Sequence, residues 1–205
     1  MMSALQNLLD LLERCALTDI WVGGWLAPLS GEQASWQKFT PDLMTVYLEF
    51  GDVIVRCNSI EQYSYLSMKV EDRIVQDPRL AEDDYCITFA KEFLLRSTDP
   101  MQVLKFLGYY NSNTDLAGGI FLAAEFVLGG YGYAESLFLD PQNLFGIRIG
   151  KERERERWLE QLGRVTAAGL IPKMEQFVWE NPKPVQKSDY PAWLRNQYPP
   201  NRGLV

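Results

Sequence analysis

At 205 residues, 47% apolar and 23% charged, the chain is long enough to bury a sizeable core and falls within the size range of one globular domain. It contains no histidine, which removes the commonest general base, the commonest metal ligand and every Ser-His or Cys-His nucleophile arrangement. The net charge of −7 is unevenly spread: residues 1–140 carry 20 acids against 9 bases, net −11, whereas residues 141–205 carry 7 against 11, net +4.

An acidic body of this kind repels nucleic acid and anionic membrane and attracts a basic protein. Cys15, Cys57 and Cys86 are odd in number and lack CxxC spacing, so buried thiols in a reducing compartment are expected rather than a disulfide framework or a zinc site. No window approaches the roughly 18 uninterrupted apolar residues of a membrane helix. The first residues, MMSALQNLLDLLERC, have no positive leader and hold Asp10 and Glu13 inside the apolar run, so the expectation is a cytoplasmic protein with neither signal peptide nor anchor.

In chain order, residues 3–17 place Leu5, Leu8, Leu9, Leu12, Cys15 and Ala16 at helical spacing behind Ser3 as N-cap. Residues 19–41, with Trp21, Trp25 and Trp36 among glycines and ending at Thr40-Pro41, read as irregular with one short strand or helical turn. The period then becomes two. LMTVYLEF, Gly51-Asp52 and VIVRC predict a hairpin whose two-residue turn wants glycine first. Further strands are expected at 62–70, 85–95, 102–110 and 120–128, with partial helix as the alternative for 85–95 and 102–110. The Gly129-Gly130-Tyr131-Gly132 cluster lacks the lysine and capped helix of a phosphate cradle and reads as a hairpin loop leading into 133–139 and 144–149. KERERERWLEQLGRVTAAG, residues 151–169, continues with Trp158, Leu159 and Leu162 at helical spacing and predicts a helix. The last 25 residues hold five of the eleven prolines. The sum is an α+β fold: a mostly antiparallel sheet of about seven or eight strands, an N-terminal and a C-terminal helix, one domain over 1–180 and an extended proline-rich tail over 181–205.

Three features carry candidate chemistry. Glu125, Glu135 and Asp140 lie close in sequence on or near neighbouring strands and offer the paired carboxylates of a hydrolase, against the alternative of acids solvated or matched to Arg and Lys. EDRIVQDPRLAEDD, residues 71–84, sets Glu71, Asp72, Asp77, Glu82, Asp83 and Asp84 against only Arg73 and Arg79. That run is either a solvated connecting loop or a docking patch for a basic protein; without a glycine it is not a calcium loop. In LFLDPQNLFGIRIG, residues 137–150, the Asp140 side chain suits a turn, Pro141 presets its φ, and Gly146 inside a strand marks a bulge or a close backbone approach.

That last stretch, together with the hairpin MTVYLEFGDVIVRC and the charged helix bearing Trp158, resembles immunity proteins of bacterial polymorphic-toxin systems. In several such groups a strand ending in Leu-Asp-Pro turns into one ending Gly-Ile-x-Ile-Gly; here the matching positions are Leu139, Asp140, Pro141, Gly146, Ile147, Ile149 and Gly150. The likeness covers about residues 120–160, with a weaker echo at 43–75, and does not include the proline-rich tail. It implies a non-catalytic cytoplasmic protein, without cofactor or metal, that occludes a cognate toxin, and the acidic body makes a basic toxin the expected partner. The rival expectations are a hydrolase using strand-borne carboxylates and a non-enzymatic adaptor or phage-type accessory protein.

Overall fold

The change of period near residue 16 marks the passage from helix to strand in the computed structural model, which describes residues 2–28, 37–62, 64–72, 84–129, 134–142 and 146–183. The elements are α1 (Ala4–Arg14), β1 (Ala16–Leu17), β2 (Asp19–Pro28), β3 (Gln37–Phe50), β4 (Val53–Ile60), β5 (Tyr65–Glu71), β6 (Tyr85–Phe89), α2 (Lys91–Leu95), β7 (Met101–Tyr110), β8 (Ile120–Phe121), β9 (Ala123–Gly129), β10 (Ala134–Asp140), β11 (Arg148–Gly150), α3 (Glu152–Ala167) and β12 (Glu175–Glu180). The class is α+β and the strand pairing antiparallel, as the short connections require.

The strands form two six-stranded sheets rather than one sheet of seven or eight. Sheet I runs β1-β7-β9-β10-β11, with β12 also beside β7; sheet II runs β6-β2-β3-β4-β5-β8. The extra strands come from places where local patterning is weak. The stretch expected to be irregular contains the ten-residue β2, whose Gly23 and Gly24 leave room for the Tyr85 and Phe39 rings to lie over the backbone. Pro41 lies in the first half of β3, which pairs with β2 alone; β4 begins to pair only at Thr45, so the missing N–H of Pro41 faces no ladder partner there. The expected strand 85–95 divides into β6 and the short α2, and the charged helix is not the last element, because β12 follows it. Residues 184–205, most of the expected tail, lie outside the described residues.

One apolar cluster binds the sheets face to face. It takes Ile20, Val22, Val46, Leu48, Val55 and Met68 from sheet II and Val103, Phe106, Phe126, Leu128, Leu137 and Leu139 from sheet I. Ser3 caps α1 by accepting from the Gln6 amide at 3.1 Å, and the helix buries Leu8, Leu11 and Leu12 in the same cluster. A smaller cluster on the outer face of sheet I gathers Leu107, Tyr109, Phe138, Trp158 and Leu162 under α3.

Two polar devices tie the layers together. Lys91, only 2% exposed, donates its Nζ to the carbonyls of Thr18 (3.0 Å), Thr98 (3.3 Å) and Asp99 (2.5 Å). Burial lowers its pKa, and the charges of Asp19 and Asp99 oppose that shift. At the other junction the Ile147 amide donates to the Leu43 carbonyl at 2.6 Å, and Gly146, at φ +101°, forms a parallel bridge with Leu43. A Cβ at Gly146 would overlap the Leu43 carbonyl. This is the close backbone approach expected of that glycine.

Gly146→Ala should therefore lower stability by about 2–5 kcal/mol, from a disallowed φ combined with overlap at the sheet junction. Gly163→Ala, at an α3 position where a Cβ meets nothing, should raise it by roughly 0.5–1 kcal/mol. Urea unfolding of the two variants beside the parent measures both; equal stability of Gly146→Ala and parent would mean that the junction contributes nothing.

Candidate functional site

Alternation along β9 and β10 decides what the three sequence-adjacent carboxylates do. Glu125 stands opposite Phe138 and Leu107, on the face of sheet I that α3 covers. It is 1% exposed. Its Oε1 and Oε2 accept from Arg155 Nη1 at 3.3 and 3.0 Å, and Oε1 accepts from Ser136 Oγ at 2.5 Å. Arg155 Nη2 reaches back to Glu152 at 3.2 Å. Around this pair Trp158 packs on Tyr109 and Phe138, with ring centroids 5.1 and 5.6 Å apart. Burial, with the Glu125 charge adding to it, pushes the Tyr109 hydroxyl up to about 12. The carboxylate is a fastener between helix and sheet, and a substrate could reach it only if α3 lifted away.

The other two acids have separate duties. Glu135 pairs in register with Leu128, which belongs to the inner face, and meets Lys151 Nζ at 2.7 Å. Asp140 is buried opposite Arg148, and its Oδ1 accepts from the Gln142 amide at 2.9 Å, the turn bond expected of an Asp-Pro corner. Burial raises its carboxyl pKa from the ordinary 3.8, while the Gln142 amide and the Arg148 charge oppose the rise.

The acidic run 71–84 is described only at its ends. Asp77, Glu82 and Asp83 lie outside the described residues. Glu71 ends β5 beside Asp72, whereas the Asp84 carbonyl accepts from Leu26 at the far edge of the sheet. Sheet order and register separate these ends by four strand spacings and about seven residues, on the order of 30 Å. Asp72 and Asp84 are exposed, and Glu71 is half-buried in an ion pair with Arg56 at 2.7 Å.

What the register does bring to Glu71 is a set of acids from other stretches. Glu71 faces Ile54, Ile54 faces Glu49, and Glu49 faces Asp19, a row across four strands of sheet II. Asp52 in the Gly51 hairpin and Asp72 lie at the same end. Arg56, Lys69 and the buried Lys91 are the cations near these five acids among the described residues. Glu49 Oε2 also accepts from Trp21 Nε1 at 3.1 Å. Residues 49 and 54 were pairable from the hairpin turn alone, but Asp19 and Glu71 joined them only through long-range strand order.

A cleft of about 390 Å³ opens between α2 and the edge formed by β10, β11 and the start of α3. Phe93, Leu94, Ser136, Arg148, Lys151 and Glu154 line it. Ser136, Lys151 and Glu154 are already bonded to Glu125, Glu135 and the Lys151 amide respectively, so the lining is tied into the scaffold. Among the described residues no three His, Cys, Asp or Glu side chains converge as metal ligands.

Searches against known protein families, curated proteins and solved structures find no match to this chain. The role of the site therefore rests on its own geometry.

Two outcomes test the carboxylate assignments. Glu125→Gln or Arg155→Met alone should cost about 3–5 kcal/mol, and the double variant Glu125→Leu/Arg155→Met should recover much of that loss, because an unpaired buried charge costs more than no charge. For Asp140, a raised native pKa means that the unfolded chain releases its proton first. Its ionisation therefore weakens the fold progressively as pH rises from 3.8, fully so once the native carboxyl is also ionised. Asp140→Asn should melt no lower than the parent at pH 7 and should lose that relative gain at pH 3; a lower melting temperature at pH 7 would contradict the assignment.

Proposed function

We propose that the chain is a non-catalytic immunity protein that binds and neutralises a cognate, basic bacterial toxin domain by occlusion. The observation that carries this reading is the row Asp19–Glu49–Ile54–Glu71, whose three acids are half-buried, with the exposed Asp52 and Asp72 at its end, a concentration of carboxylate at one end of a sheet. The surrounding chain has the same sign: the described parts of residues 19–89 hold eight acids against Lys38, Arg56 and Lys69. Such a field speeds encounter with a positive partner and fixes its orientation. The three strand-borne carboxylates that would serve a hydrolase are each committed to an ion pair or a turn. In the stretch that resembles immunity proteins, Asp140 and Gly146 shape the scaffold, which leaves recognition to other residues.

Co-expression with the product of the adjacent upstream gene in a sensitive host tests the reading. Growth should be restored, and the two proteins should co-elute on size exclusion. Glu49→Lys together with Asp72→Lys should slow association by about tenfold at low salt and by less at 0.5 M, as screening predicts. Failure of the parent to restore growth or to form a complex would overturn the proposal.

A further inference from the structure

The cleft between α2 and the edge of sheet I has a fixed apolar wall. Although α2 is only five residues long, it is held at both ends: Lys91 is bonded to three carbonyls and Leu95 is buried in the core. Between them Phe93 is 88% exposed and lines the cleft with Leu94, Leu95, Leu137 and Ile149. The polar lining divides into groups already matched and groups that are not. Ser136 donates to Glu125, and Lys151 to Glu135. Glu154 accepts from the Lys151 amide at 3.0 Å, a bond that holds its carboxyl below the ordinary 4.5, but among the described residues no cation pairs with it, and Arg153 and Arg157 act on it only through space. Arg148 is exposed and, among the described residues, makes neither a hydrogen bond nor an ion pair; Asp140, opposite it in register, bonds the Gln142 amide instead.

The backbone sets these two unmatched charges near each other. Arg148 and Gly150 stand two apart on β11 and project to one face, about 7 Å apart. A Cβ on Gly150 would lie 2.6 Å from Glu154 Cβ, so the Glu154 side chain rests over that glycine. We propose that the cleft binds a free dipeptide of apolar residues as a zwitterion, with its carboxylate on the Arg148 guanidinium, its ammonium on Glu154 and its side chains against Phe93, Leu94 and Ile149. Two extended residues span about 7 Å, which matches the spacing of the two positions. A cleft of about 390 Å³ is of the size that holds a small ligand. Arginine grips a carboxylate through two parallel donors, which fixes the orientation of the bound molecule. A fatty acid would satisfy Arg148 but cover Glu154 without supplying a cation, and an alkylamine would do the reverse. The site is built from α2, sheet I and the start of α3, and it owes nothing to the acid row of sheet II.

Calorimetric titration of the full-length chain with leucyl-leucine tests the site. The dipeptide should bind with a millimolar or lower Kd, as a ligand of that size can. N-acetyl-leucyl-leucine and leucyl-leucine amide, each lacking one charge, should bind about tenfold more weakly, and so should seryl-serine, which lacks the apolar side chains. Arg148→Gln should make the dipeptide and its amide bind alike, and Glu154→Gln should do the same for the dipeptide and its acetylated form. Phe93→Ala should weaken binding about fivefold and leave the melting temperature unchanged, because the ring is exposed; Leu170→Ala, exposed beyond the end of α3, should bind as the parent does. Amide shifts of the isotopically labelled chain should concentrate on residues 93–95, 136–137 and 148–154. Absence of heat and of shifts at millimolar dipeptide, indifference to blocking either terminus, equal binding of seryl-serine, or shifts mapping elsewhere would each overturn the proposal. None of these measurements involves a toxin, so the cleft and the immunity reading stand or fall separately.

Discussion

Burying one face of each six-stranded sheet against the other sets the parity of every long strand in the molecule. Once Val46, Leu48 and Phe50 point into the core, Tyr47 and Glu49 must point out; once Phe126 and Leu128 point in, Glu125 must point to the opposite face. Each sheet is left with an outer face, and the two faces meet different fates. Sheet I gains a helix. Sheet II, among the described residues, gains none.

The cover on sheet I explains the composition of α3. Its first turns read ERERER, and only one of those arginines, Arg155, stands three and seven residues before Trp158 and Leu162 and so shares their stripe. The other charges face water or pair locally. A buried Glu125–Arg155 pair is a poor source of net stability, because desolvation consumes most of what the attraction returns. Its use is specificity: Glu125, Ser136 and Arg155 fix where along the sheet the helix sits, which a cluster as small as the one beneath α3 leaves loosely determined.

Legibility in the sequence followed the range of the interaction. The Gly51-Asp52 hairpin, the Ser3 cap, the Asp140-Pro141 turn and the charged helix depend on neighbours a few residues away, and each is where its residues suggested; Gly146 signalled a close backbone approach, but its partner Leu43 lies far away in the chain and was not readable. The division into two sheets was not readable, because strand order is a property of contacts dozens of residues apart. β2 was hidden by glycines that are there to admit Tyr85 and Phe39, a packing reason invisible before the partners are known. Nothing in the local sequence distinguishes Lys91, and only the fold brings three carbonyls around its ammonium. The acid row was hidden for the same cause: Asp19, Glu49 and Glu71 are separated by tens of residues and become neighbours through register.

In a complex, the acid row on sheet II would act differently from close contacts. Carboxylates near solvent act over about a Debye length, so they govern how fast and in what orientation a basic partner arrives and lose force in salt. A desolvated aromatic contact acts only on touch and scarcely responds to salt, so it governs how long the partner stays. Acids alone attract basic proteins without distinguishing them, so selectivity in such a complex would need close contacts beside them. The acid row lies on sheet II and the Glu125–Arg155 fastener on sheet I, so charge in the row can change without disturbing the ion pair that seats α3.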